Sequence, residues 1–160
     1  MKIKKTIANV LLACAAIAAT GCASLPSPEA MKTATADFQL PKLPSDGEAM
    51  VYVVRPSSMG SMIRFNVFVD DQEPASEIGY TRGSQFIYFS LRPGEHKILS
   101  KAENWADTSV SVKAGDIVFI QQDPSMGVIM ARNSLVKLEE LPGKYHVKSL
   151  SVGTILKTTK

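Results

Sequence analysis

The sequence is poor in the residues that most often carry chemistry. It holds two cysteines, two histidines and one tryptophan in 160 residues. Cys14 and Cys22 both stand near the N-terminus, so no thiol remains downstream of them. His96 and His146 are far apart, and neither a CxxC nor a His-x-His spacing occurs. A zinc site or a redox dithiol is thereby excluded as the organising feature. No GxGxxG, no P-loop and no G-x-S-x-G elbow occurs, so dinucleotide, nucleotide and hydrolase readings lose their usual carriers. An excess of positive charge is also missing from most of the chain. The formal charge is +3, but Lys2, Lys4 and Lys5 lie in the first five residues and no acid precedes Glu29. Without residues 1–21 the basic and acidic side chains balance at fifteen each. That excludes a nucleic-acid reading based on net charge.

Long apolar runs are scarce too. Ile7 to Ala19 is one, broken only by Asn9. It is shorter than the ~20 residues that span a bilayer. It suits the apolar region of a secretory signal, roughly 7–15 residues, behind the positive start MKIKK. Ala18, Ala19, Thr20 and Gly21 then lead to Cys22. This arrangement resembles a bacterial lipoprotein signal, whose Cys accepts a diacylglycerol before the chain is cut ahead of it. Residues 1–21 are expected to be removed and Cys22 to be acylated. Cys14, behind Leu11, Leu12 and Ala13, is the alternative site. Two or more acyl chains give stable anchoring. Ala23 stands where an inner-membrane retention signal would place Asp. The expected location is therefore the outer membrane of a bacterial envelope, facing the periplasm.

Beyond the signal the chain divides in three. Residues 22–47 carry Pro26, Pro28, Pro41 and Pro44 among Ser, Thr, Ala and Lys. They read as a flexible tether with a short ordered piece at Phe38–Leu40, spanning roughly 25–30 Å. Residues 48–140 read as short strands. Met50–Val54 is β-branched and apolar, and Arg64–Asp70 and Gln85–Leu91 alternate. His96–Lys101, Val110–Val112, Ile117–Ile120, Val128–Ala131 and Leu135–Leu138 complete the set. Arg92-Pro93-Gly94-Glu95 and Lys113-Ala114-Gly115-Asp116 supply turn chemistry, and Asp70-Asp71-Gln72 a third turn. Seven or eight short strands with Gly/Pro turns predict an all-β fold, a small antiparallel β-sandwich. Residues 141–160 form a tail with one expected helical turn near Pro142.

Tyr52–Pro56, Asn66–Asp70 and Leu91–His96 give the chain, over roughly Glu48–Glu140, a resemblance to the domain of unknown function 2846 family, many of whose members are bacterial lipoproteins. Leu91–His96 is also similar to PEGA-type β-domains of envelope proteins. The resemblance implies a small all-β envelope domain. It brings no activity and no catalytic residues.

The residues themselves support binding over catalysis. Asp70, Asp71 and Glu73 crowd one turn instead of facing each other across a cleft, as a glycosidase needs. Met59, Met62, Met126 and Met130 read as packing residues and not as a copper site. No metal and no cofactor is expected. Arg55, Ser57 and Ser58 in the loop after the first strand, with Tyr80 and Trp105, are the candidate contacts. The expected role is a non-enzymatic interaction or structural module meeting an envelope protein. The alternative is a small-ligand or glycan-binding protein.

Overall fold

The computed structural model describes residues 25–158. The signal segment, Cys22 and its alternative Cys14 lie outside the described residues. Within the described residues, ten strands form two five-stranded sheets. In sheet A the order is β8 (Ala131–Leu138), β7 (Ile117–Met126), β1 (Ala49–Arg55), β4 (Gln85–Leu91) and β9 (Ser151–Val152). In sheet B it is β10 (Thr154–Ile155), β3 (Glu77–Thr81), β2 (Phe65–Val69), β5 (Gly94–Lys101) and β6 (Trp105–Val112). Pairing is antiparallel except for β1 with β7 and β4 with β9, which are parallel. The expected all-β sandwich is what the chain forms.

Period-two alternation explains the core. Val51 and Val53 of β1, Val67 and Val69 of β2, Ile87 and Phe89 of β4 and Ile98 of β5 fill the space between the sheets. Each such buried side chain contributes about 1.5–3 kcal/mol. Every residue of β1 is buried, because β1 is central and both faces of sheet A are covered. Met50, Tyr52 and Val54 face outward, with Phe86 and Phe119, under a second apolar layer. Inside the sandwich, Gln122 of β7 ties the sheets together. Its amide donates to Ser100 Oγ at 2.7 Å, and its carbonyl accepts from Thr81 Oγ1 at 2.5 Å.

That second layer comes from segments read as tether and tail. Pro28–Thr35 is a helix, α1, capped by the Ser27 side chain at Ala30 N. Glu140–Ser149 is a longer helix, α2. The Lys148 amine donates to the Ala34 carbonyl and joins the two helices. Met31 is buried, and Phe38, Leu40 and Val147 pack on the outer face of sheet A. The backbone of Lys42 both donates to and accepts from the Tyr52 hydroxyl. Apolar burial thus outweighs the proline-rich composition, and much of the expected tether is part of the folded body. The tail is likewise structural. After α2 the chain adds β9 to sheet A, turns at Gly153, and adds β10 to sheet B.

The Gly94 and Gly115 turns, with φ of 146° and 87°, carry the chain from one sheet to the other. Two local expectations change. Glu77–Thr81, with Gly79 in its middle, is an additional strand. Val128–Met130 is an exposed loop, and the strand begins only at Ala131.

Gly143 sets the distance between α2 and sheet A. A Cβ there would fall 2.2 Å from the Phe119 ring. Gly143→Val is expected to lower stability by about 1–3 kcal/mol through overpacking. Denaturant unfolding measures this, and an unchanged midpoint would contradict the packing described.

Candidate functional site

The loop between β1 and β2 starts from a buried charge. Arg55 closes β1 and is wholly buried. Its guanidinium donates to Ile63 O at 2.7 Å, Met59 O at 2.8 Å and Gly60 O at 2.9 Å. It also lies 3.6 Å from the Phe65 ring centre. No carboxylate pairs with it among the described residues. Burial pulls its pKa down to about 10, which leaves it a cation at neutral pH. Arg55 therefore positions its own loop and presents nothing to a ligand.

Ser57 and Ser58 reach the wall of a cleft of about 530 Å³. Leu25 and Pro56 stand beside them, Gln121 and Asp123 come from β7, and His146 comes from α2. The Ser57 hydroxyl accepts from Met59 N at 3.1 Å, and Gln121 donates to Asp123 at 2.5 Å. His146 is more than nine-tenths buried. Burial holds its pKa below the ordinary value, against the opposing pull of Asp123. Neither serine is hydrogen-bonded to His146 among the described residues, so no activated nucleophile is assembled. Hydroxyls, an amide, a carboxylate and an imidazole here suit a hydroxyl-bearing ligand.

Tyr80 and Trp105 lie elsewhere, on the outer face of sheet B. Direct cross-strand partners run Thr154, Tyr80, Asn66, Lys101, Trp105. The two rings share this row but are three strand spacings apart, about 14 Å. Arg64 and Arg82 flank the Tyr80 ring at 5.0 and 5.5 Å. A hydrogen bond with Thr154 lowers the Tyr80 pKa, burial opposes this, and the two arginines add to the lowering. Trp105 packs on Phe68 at 5.1 Å, with Lys101 5.2 Å from its ring. Arg64, Arg82 and Lys101 line an open cleft of about 410 Å³ with Met62, Ile63 and Met130. No carboxylate lines it among the described residues. None of the three cations has an ion pair among the described residues.

Loops at this end of the sandwich also display apolar side chains. Met62 is 82%, Met126 89%, Val128 92% and Ile129 87% exposed, with Met59 and Met130 beside them. The β7–β8 loop is held by one carboxylate. Glu103 accepts from Val128 N at 3.0 Å and from Ile129 N and Met130 N at 2.7 Å. These bonds bring its pKa down to about 2, helped by Arg132 at 3.8 Å. Gly127 permits the approach, since a Cβ there would meet Met130 O at 2.1 Å. The loop therefore displays Val128 and Ile129 to solvent from a held backbone.

Sequence reasoning thus grouped Ser57, Ser58, Tyr80 and Trp105, whereas the fold divides them between a cleft and a sheet face. It did not select His146, Asp123, Arg64, Arg82 or the exposed loop. The signal for the loop was present in Gly127, which interrupts Met126-Gly-Val-Ile-Met130.

The chain belongs to the DUF2846 family, described as a protein of unknown function, which matches residues 45–135. It is also similar to an uncharacterised protein of Haemophilus influenzae. The two are 26% identical over 152 residues, covering 94% of this chain and 86% of that one.

Arg55→Lys removes the fork that spans three carbonyls while keeping the charge. Stability is expected to fall by about 2–4 kcal/mol, with faster amide exchange through residues 59–63. Unchanged exchange there would contradict the role given to Arg55. Glu103 supplies a pH test. Its folded pKa is depressed, so its contribution is full above the ordinary value of 4.5 and is lost as pH falls towards about 2. Amide protection at Val128, Ile129 and Met130 should fall in that window, and should already be low in Glu103→Gln at neutral pH. Protection that persists in both cases would remove the carboxylate from the account.

Proposed function

We propose that this family member is a lipid-anchored protein of a bacterial cell envelope, held through Cys22 in the outer membrane and facing the periplasm. It acts by binding another envelope component and not by catalysis. The N-terminal pattern up to Cys22 supports the anchor. The observation that carries the binding role is the loop end of the sandwich. Six large apolar side chains stand exposed there beside three cations without ion pairs among the described residues. A contiguous exposed apolar patch of this kind marks an interaction site in a soluble domain.

A free strand edge is the weaker route to a partner. The outer edge of β8 is partly occupied, because Asn104 Nδ2 donates to Asn133 O at 2.9 Å and Asn104 Oδ1 accepts from Asn133 N at 2.8 Å. The small-ligand reading keeps one specific support. The His146 ring makes no hydrogen bond among the described residues, although it is almost wholly buried beside a polar cleft. The ring borders that cleft beside Ser57, Ser58, Gln121 and Asp123, so a hydroxyl-bearing ligand seated there would reach it.

Palmitate labelling of cells tests the anchor. Label should appear on the protein and vanish in Cys22→Ala. Label that survives there and disappears in Cys14→Ala moves the site. A photo-crosslinker placed at residue 129 tests the binding role. An adduct with an envelope component is expected. Clean photolysis at 129, with sugar recovered on the purified protein instead, would favour the His146 cleft.

A further inference from the structure

We propose that the loop end of the sandwich docks on the bilayer surface itself, with Val128 and Ile129 entering the interface and Arg64, Arg82 and Lys101 meeting anionic headgroups. This rests on the reading of Cys22 as the acylated residue, and it names the component that the loop end binds.

The first support is reach. Leu25 lines the same cleft as Pro56, Ser57 and Ser58, in the loop that continues to Met59 and Met62. Three residue steps separate it from Cys22. Fully extended, these span at most about 11 Å. A tether counted to residue 47 would let the domain float well clear of the headgroups. A chain that joins the folded body at Leu25 gives no such freedom, because α1 packs against α2 and the Phe38–Leu40 segment packs on sheet A. The acyl chains therefore enter the membrane close to the β1–β2 loop.

The second support is chemistry. The loops at this end carry Met59, Met62, Met126, Val128, Ile129 and Met130, all substantially exposed. Interfacial binding needs such apolar tips, buried roughly 5–10 Å into the headgroup region, and is strengthened by cations near anionic lipid. Arg64, Arg82 and Lys101 border the tips and have no ion pair among the described residues. A protein partner would also accept apolar tips. A bilayer is favoured because the anchor lies at the same end, so any protein bound there would have to fit between the domain and the lipid.

The third support is preorganisation. Three backbone bonds to Glu103 fix the β7–β8 loop, so little ordering entropy is lost when Val128 and Ile129 enter the interface.

The test uses the full lipidated protein in vesicles of phosphatidylcholine with and without phosphatidylglycerol. Cys22 is acylated in that protein, and Cys14 belongs to the removed segment. Ile129→Cys or Lys113→Cys therefore supplies a single thiol for an environment-sensitive fluorophore. Lys113 lies in the β6–β7 turn, at the opposite end of the strands. With phosphatidylglycerol, the probe at 129 should shift to the blue and be quenched by spin-labelled lipid several-fold more than the probe at 113. Quenching at 129 should weaken on phosphatidylcholine alone. Vesicle-bound protein whose probe at 129 stays water-like would overturn the docking and leave the anchor standing. Protein that fails to float with vesicles would overturn the anchor first, and the docking with it. Equal quenching on both vesicle types would overturn the part given to the three cations.

Discussion

A guanidinium sealed inside a protein without a carboxylate is costly, since removing a charge from water sets several kcal/mol against folding. Arg55 meets that cost with three carbonyls of its own following loop and the face of Phe65. The β1–β2 loop is thereby fixed at both ends of its path, and everything built on it inherits that order. Ser57 and Ser58 stand on one side as the wall of the cleft, and Met59 and Met62 stand on the other as exposed tips. Glu103 repeats the device with the sign reversed. A cation grips carbonyl oxygens in one loop, and an anion grips N–H groups in the other. Two neighbouring loops are each held by one charge acting on backbone.

The two sheets differ in what they leave free. Sheet A is covered on both faces, by sheet B and by the helical layer, so β1 is apolar along its length and ends in Arg55. Sheet B has no helical layer on its outer face among the described residues. Its polar row, Tyr80, Asn66, Lys101 and Trp105, meets solvent at the end where the loops project. The exposed face of cations and apolar loop tips follows from this asymmetry.

Most of the sandwich was legible in the sequence, because alternation is a strong signal wherever a strand has one core face. Arg64–Asp70 and Gln85–Leu91 announced β2 and β4 this way. Glu77–Thr81 did not, because Gly79 leaves no side chain where β10 passes and a Cβ there would meet Thr154 O at 2.2 Å. Met126–Met130 misled by being apolar without being buried, which no periodicity reveals. For α1 the capping signal Ser27-Pro28-Glu29 was readable, but the proline density around it pointed to loop. Buried His146 and the placing of Ser57 and Asp123 on one cleft are tertiary facts. They depend on α2 crossing sheet A, and no local pattern encodes that crossing.

The last strands give the fold a particular order of events. β9 completes the edge of sheet A against Gln85–Phe86, and β10 completes the edge of sheet B against Gly79–Tyr80. Residues near the end of the chain thus close a structure whose central strand, β1, began about a hundred positions earlier. Such distant pairings slow folding. Until those residues are in place, Gln85–Phe86 and Gly79–Tyr80 stand as open edges, so the sandwich stays exposed to strand pairing with other chains until almost all of it has been made.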